Sequence, residues 1–134
     1  MKKFKVLEHT ADLKIRAFGK TKQELFLNAM LAMEKALRPR LTKKPASTQI
    51  KIESENLETL LVDFLDEINY QNEINSEIYN EIYFEKFSDN LIKAELFGRK
   101  VKRFGLQIKG VTFHNLNIHQ RKNGIWEATV VFDI

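Results

Sequence analysis

The apolar residues of this sequence recur with two different periods, and the helical period is confined to two stretches. In residues 21–38 and 55–74 they recur every three or four positions, which is the spacing of an amphipathic helix. Phe4–Leu7 and Leu13–Phe18 alternate instead, as does most of the chain after Ile78, which is typical of strands. We therefore predict an α+β fold in which two amphipathic helices pack on a mainly antiparallel β-sheet. With 134 residues, of which 43% are hydrophobic, the chain suits one compact domain over residues 1–134.

Local signals place the ends of both helices. Thr21–Glu24 has the spacing of a capping box, in which the threonine hydroxyl accepts from a backbone N–H group and the glutamate reaches back. Pro39 ends the first helix because a residue before proline avoids the helical conformation. Asn56 or Ser54 is the candidate cap of the second helix. Between the helices, residues 38–46 contain both prolines and several basic residues, which predicts an exposed linker followed by a short strand over Ser47–Glu53.

The second half of the chain has the alternating apolar pattern that is typical of β-sheet. Its alternating runs are broken at Ser88–Asn90, Gly98 and Gly105, and the single glycines at positions 105 and 110 suggest bulges or bends. Asn123-Gly124 is the strongest turn signal in the chain and predicts a hairpin.

The register of that hairpin follows from its apolar residues. A three-residue loop, Lys122–Gly124, brings the apolar residues of both strands to one face, and burial of one face is what fixes register. It places Leu116 opposite Val130, Ile118 opposite Ala128, His114 opposite Phe132 and Phe113 opposite Asp133.

Polar groups cluster in the connection between the first two strands. Glu8, His9, Thr10 and Asp12 lie within five residues, and connections often carry binding groups. Asp and Thr also serve as simple turn residues, so composition alone favours the structural interpretation. His9 and His114 invite a catalytic interpretation, but a lone histidine near a strand end is more often a hydrogen-bonded structural residue.

The C-terminal strand adds further carboxylates. Asp133 stands one residue before the carboxylate of Ile134, and we expect the adjoining loop to deliver Asp12 to the same tip. Oxygen ligands of this kind suit Ca²⁺ or Mg²⁺, with water or another molecule completing the coordination shell. Lys109 is the nearest cation to this predicted carboxylate tip. A second acidic group, Asp63 with Asp66 and Glu67, has the spacing to hold a cation, although a solvated helix face is the commoner arrangement.

Several function classes lack their signatures. There is no cysteine, which excludes disulfides, zinc–thiolate sites and thiol nucleophiles. There is no phosphate-binding glycine loop, no HExxH pair and no Gly-x-Ser-x-Gly elbow, so we expect no nucleotide-consuming enzyme. No apolar run approaches the roughly 18 residues of a membrane span, and no signal-peptide block opens the sequence, so we expect a cytoplasmic protein without a membrane partner.

The net charge of +4 conceals an uneven distribution. Residues 52–92 hold eleven acidic residues and one basic residue, so the remainder of the chain carries a net charge of +14. Such asymmetry steers a protein toward charged partners, nucleic acid included, although a solvated helix face also explains much of the acidic block.

Three separated motifs resemble those of one protein family. Glu8–Ile15 (EHTADLKI), Ile108–Leu116 (IKGVTFHNL) and Val130–Ile134 (VVFDI) are similar to the motifs of archease, the small protein that assists the RtcB-type RNA ligase in tRNA splicing and RNA repair. The resemblance runs nearly end to end. It implies an activator that promotes guanylylation and multiple turnover of the ligase, with no catalysis of its own and contact with tRNA only indirectly. It also implies that Asp12, Lys109 and Asp133 are the acting residues.

Two other function classes stay open at the level of sequence. A basic RNA-binding module without a ligase partner fits the positive charge, but the chain lacks a clear platform of exposed aromatics for base stacking. A metal-dependent hydrolase would need a poised general base, and none can be named.

Overall fold

The computed structural model describes residues 1–8 and 12–134, without the side chains of Glu8 and Asn115. In chain order, the helices and strands in these residues are β1 (Phe4–Glu8), β2 (Asp12–Gly19), α1 (Lys22–Ala36), β3 (Pro39–Glu53), α2 (Leu57–Asn75), β4 (Glu77–Phe87), β5 (Leu91–Phe104), β6 (Gly110–Gln120) and β7 (Trp126–Asp133).

The strands form two antiparallel sheets rather than one. The first has the order β1-β2-β7-β6 and the second the order β3-β5-β4. Helix α1 contacts β2 of the first sheet and β4 of the second, while α2 contacts β6 and β3. The helices therefore join the two sheets around one apolar core. The predicted α+β class is confirmed, with the antiparallel strands divided between two sheets.

Both helix starts are confirmed. Thr21 Oγ1 accepts a hydrogen bond from the Glu24 backbone N–H at 3.1 Å, and Glu24 Oε1 accepts from the backbone N–H of Lys20 at 3.1 Å, one residue before the cap. In α2 it is Asn56, not Ser54, that caps, since its Oδ1 accepts from the Thr59 N–H at 2.9 Å. These bonds satisfy backbone donors that the first turn of a helix leaves without a partner.

The predicted linker over residues 38–46 is wrong. Residues 39–46 form the first half of β3, which pairs with β5 from Pro39 opposite Phe104 to Glu53 opposite Leu91. Because β3 is an edge strand, its two prolines are tolerated: Pro39 is the first residue of the strand, and Pro45 lies at a register shift.

Gly98 was expected to break a strand, yet it lies within β5. A Cβ atom at this position would lie 1.7 Å from the carbonyl oxygen of Ile78 in β4. Glycine is therefore needed here for the close approach of a neighbouring strand, not for a turn.

The last hairpin is confirmed near its turn and wrong farther away. Arg121 donates to the Ile125 carbonyl at 2.8 Å, Gly124 has φ +88°, and Ile118 lies opposite Ala128, as predicted. Thr112, however, pairs with Val131 and Asn117 with Thr129, so β6 has three more residues than β7 over this interval. The resulting bulge removes Phe113 and His114 from their predicted partners.

A buried carboxyl group links three elements of the core. Glu34 of α1 is 3% exposed, and its Oε2 accepts from the Tyr79 backbone N–H of β4 at 3.0 Å and from Asn72 Nδ2 of α2 at 2.9 Å. Burial raises the pKa of Glu34 to about 8, although both hydrogen bonds act in the opposite direction. The group is therefore mainly neutral in the folded protein at pH 7.

This raised pKa predicts a pH-dependent stability. The folded protein keeps a proton that the unfolded chain releases above its ordinary pKa of 4.5, so the free energy of unfolding falls as pH rises from 4.5 to about 8. The slope from this group alone is about 1.4 kcal/mol per pH unit. Glu34→Gln, which mimics the protonated form, should remove this component. Urea unfolding of both proteins at several pH values checks this, and a pH-independent difference between them would contradict the prediction.

The Thr21 cap gives a second prediction on stability. Thr21→Ala should lower the free energy of unfolding by about 1 kcal/mol, because the Glu24 N–H loses its acceptor. Thr21→Ser keeps the hydroxyl group and should retain most of the stability. Urea unfolding measures both variants, and equal losses in the two would show that the hydroxyl group does not act as the cap.

Candidate functional site

Three neighbouring strands bring the predicted site residues together at one end of the first sheet. Asp12 at the start of β2 lies directly opposite Asp133 at the end of β7, and Asp133 in turn lies opposite Gly110 at the start of β6. The Lys109 backbone N–H donates to the carbonyl of Asp133 at 2.7 Å. We call Asp12, Asp133 and Lys109 the strand-end site.

The two carboxylates lie on the same face of the sheet. Residues that face each other in an antiparallel pair project to one side, with Cβ atoms about 4.5–5.5 Å apart. Asp133 is exposed at the end of its strand, whereas Asp12 is partly buried. Two like charges placed so closely repel each other, so this pairing is not held by the side chains that form it.

The next residue on each strand explains the pairing. Leu13, Phe132 and Val111 form the adjacent row across β2, β7 and β6, and they are 8%, 0% and 9% exposed. A slip of one residue would turn this row to solvent and put the aspartates into the core. Burial of the apolar row thus fixes where Asp12 and Asp133 lie.

Lys109 presents its charge beside a cleft. Its side chain is exposed and forms no ion pair with any described residue. It lines a cleft of about 430 Å³ between α2 and the segment before β6, together with Asp66, Asn69, Tyr70, Glu73, Gln107 and Ile108. A flexible point charge at the rim of an open cleft can contact an anion without rearrangement of the fold.

Asp66 supports the strand-end site from α2, and sequence reasoning did not assign it this role. Its Oδ1 accepts from the Val111 N–H at 3.0 Å, which ties the helix to the start of β6. Burial raises the pKa of Asp66, the Val111 N–H lowers it, and the charge of Asp63 raises it further. No sequence signal identifies this contact, because it joins residues 45 positions apart.

The suggested cation site on α2 is not supported. Asp63 accepts from Ser54 at 2.6 Å and Glu67 from Gln71 at 3.0 Å, so the three acidic residues have separate partners. Among the described residues there is no group of three or more His, Asp and Glu side chains that could hold a metal ion. A metal at the strand-end site would therefore take only two side-chain ligands from the described residues.

The remaining predicted residues have different outcomes. His9 lies outside the described residues, with Thr10 and Ala11. His114 is exposed in the bulge of β6, where its backbone N–H donates to Thr112 Oγ1 at 3.1 Å, so it is not paired with the end of β7. Ile134 packs partly buried against the core next to Asp133. Within the described part of the chain, neither helix is long and apolar enough to cross a membrane.

Comparisons with known proteins agree with this architecture. Residues 4–134 match the archease protein family. The archease of Methanosarcina barkeri is 36% identical over 144 residues, covering 99% of this chain and 97% of that protein. The archease of Pyrococcus furiosus is 29% identical, with both chains fully covered.

Two solved structures share the fold. The solution structure of protein 1598 of Methanobacterium thermoautotrophicum has a TM-score of 0.73 at 26% identity and covers both chains fully. The crystal structure of a Thermotoga maritima archease, described as a possible chaperone, has a TM-score of 0.70 at 24% identity and covers 97% of this chain and 96% of that one. Because the family match extends over nearly the whole chain and several relatives exceed 30% identity, the chain belongs to the archease family.

Proposed function

We propose that this protein is an accessory activator of an RtcB-type RNA ligase, promoting its guanylylation and multiple turnover in tRNA splicing and RNA repair. The observation that carries the proposal is the convergence of Asp12, Asp133 and Lys109 at the ends of three adjacent strands. These are the residues that the motif resemblance marks as acting. The description of the Thermotoga relative as a possible chaperone is in keeping with an assisting role.

The geometry suits a group that reaches into a partner. Asp133 and Lys109 are exposed at the tip of the sheet, while the apolar row behind them keeps the backbone in place. A rigid support holds charged groups at fixed positions, and positioned charges are what electrostatic assistance to a reaction requires. No complete set of catalytic groups is needed in an activator, because the partner supplies the chemistry.

The carboxylates have a separate proposed role as ligands. Asp12 and Asp133 would hold Ca²⁺ or Mg²⁺ through oxygen atoms, the ligand type that hard cations prefer. Two carboxylates on one face of the sheet fit such an ion but leave most of its coordination shell to water or to the partner. A bound ion would neutralise the repulsion between the two side chains.

Lys109 has a proposed role toward a nucleotide phosphate. Its ammonium group is a compact charge on a flexible stem, and such a group can contact a phosphate without fixed geometry. The backbone N–H bond to Asp133 holds the Lys109 main chain, so only the side chain needs to move.

One assay separates the possible functions. The purified protein is added to an RtcB-type ligase with GTP and a divalent metal ion, and formation of the ligase–guanylate adduct is followed. An activator does nothing alone and raises the ligase rate. Hydrolysis of substrate by the protein alone would show an enzyme, and an unchanged rate of adduct formation would overturn the proposal.

Lys109→Ala should fold normally and lose most of the stimulation. The side chain is exposed and forms no ion pair with described residues, so its removal takes away charge and reach but little packing. Loss of one charge-assisted hydrogen bond of about 1.5–3 kcal/mol predicts a reduction of roughly ten-fold or more in stimulated rate. Lys20→Ala is the control, because Lys20 is an exposed lysine that follows the other end of β2. Equal stimulation by wild type and Lys109→Ala would refute the assigned role.

The metal proposal is tested without the ligase. Calcium at ten times its dissociation constant should stabilise the wild-type protein by about 1.4 kcal/mol, which is a rise of several degrees in melting temperature. Asp133→Asn and Asp12→Asn should each reduce this rise. Glu81→Gln, a change at an exposed acid within β4, is the control. If all four proteins respond equally to calcium, the ion does not bind at the strand-end site, whatever the result of the ligase assay.

A further inference from the structure

One end of the second sheet has only two strands. The register of β4 with β5 runs from Phe87 opposite Ile92 to Glu77 opposite Lys100, so β4 does not pair with β5 beyond Lys100. β5 continues to Phe104, where it pairs with β3 alone. We call this end, with the two residues of β5 that precede it, the basic ribbon (residues 38–44 and 99–103).

The basic ribbon is densely and uniformly charged. It contains eight basic residues and no acidic residue. Lys100 is neutralised by Glu77, whose carboxylate lies 2.7 Å from its ammonium group. The other seven are all exposed and form no ion pair with a described residue: Arg38, Arg40, Lys43, Lys44, Arg99, Lys102 and Arg103.

A comparison within the same pair of strands shows that this charge has no acidic counterpart among the described residues. Lys51 of β3 lies opposite Lys93 of β5, and each has an acidic neighbour: Glu53 at 3.4 Å and Glu85 at 3.6 Å. Arg40 lies opposite Arg103 in the basic ribbon, and neither has an acidic neighbour among the described residues. Like charges that face each other across strands destabilise the pair. An anion from outside the chain would remove this repulsion.

The arrangement favours a phosphate backbone as that anion. Four of the seven exposed bases are arginines, whose planar guanidinium groups bind phosphate oxygens through two parallel hydrogen bonds. Lys102 lies in a bulge of β5, since Arg103 pairs with Arg40 and Val101 with Leu41, and it is exposed together with Arg103 while Val101 is buried. Exposed bases that follow two paired strands suit the linear row of phosphates along a nucleic-acid strand.

We propose that the basic ribbon binds the phosphate backbone of RNA. Binding of a phosphate backbone follows from the ribbon itself, and only the choice of RNA over DNA rests on the proposed function. The block of residues 52–92 has a net charge of −10 and repels a polyanion such as RNA, so RNA is directed to the basic ribbon.

The basic ribbon is also close to the strand-end site along the chain. Lys109 is the sixth residue after Arg103, and a fully extended chain of six residues spans at most about 22 Å. RNA held on the ribbon would therefore lie within reach of a ligase active site that the strand-end site contacts. The basic surface would thus hold RNA for the ligase, although the activator itself does not act on RNA.

The test uses a fluorescein-labelled 20-nucleotide single-stranded RNA and measures anisotropy at several KCl concentrations, with no ligase present. The test variant is the double change Arg40→Gln with Arg103→Gln. The matched control is Lys51→Gln with Lys93→Gln, which removes the same charge from directly opposed residues of the same two strands. All four side chains are exposed, and circular dichroism and thermal melting verify that both variants fold.

We expect the ribbon variant to bind RNA at least ten-fold more weakly at 0.1 M KCl, with a salt slope smaller by about 1.4, as two lost phosphate contacts predict. The control should bind within two-fold of wild type. Equal weakening of both variants would overturn the proposal, because net charge alone would then explain the binding. The proposal would also be overturned if the wild-type protein does not bind RNA but self-associates at low salt. That result would indicate that the basic ribbon binds the acidic block of a second copy. Neither result bears on ligase activation, which the guanylylation assay tests separately.

Discussion

The burial of Phe132 between Leu13 and Val111 determines the rest of the site. This apolar row fixes how β7 pairs with β2 on one side and with β6 on the other, and the next row outward holds Asp12 and Asp133. Two facing carboxylates cost stability, whereas each fully buried large apolar side chain contributes about 1.5–3 kcal/mol. The core therefore imposes an arrangement that the charged residues would not adopt by themselves. Placing the charges at strand ends leaves Asp133 and Lys109 exposed without weakening the core.

Local patterns predicted the parts of the fold that local interactions determine. The Thr21 cap, the Asn56 cap and the Lys122–Gly124 turn all depend on residues within a few positions of each other. The same hairpin register failed beyond Asn117, because alternation cannot reveal three extra residues in one strand. Asp12 and Asp133 were nevertheless placed together correctly, since both lie next to strand ends.

Amino-acid composition gave a wrong prediction for residues 38–46, where tertiary contacts determine the structure. Prolines and basic residues around Pro39 and Pro45 are typical of a linker, yet an edge strand accepts both, because it needs hydrogen bonds on one side only. Because this segment was predicted to be a linker, the pairing of Arg40 with Arg103 was not predicted. The contact of Asp66 with Val111 and the bonds of Glu34 to Asn72 and Tyr79 also join distant segments, and nothing in the local sequence marks them.

The charged residues of this fold differ in how their charge is compensated. The buried Glu34 is kept mainly neutral and holds two helices and a strand together through hydrogen bonds. Lys100 is paired with Glu77, where burial raises the pKa of the carboxyl group but the hydrogen bonds from Lys100, Tyr79 and Thr48 outweigh it and lower the pKa overall. Among the described residues, the exposed arginines of the basic ribbon have no such acidic partner. Glu34 and Lys100 thus have their partners within the chain, whereas the proposed RNA contact would supply the partner of the ribbon arginines.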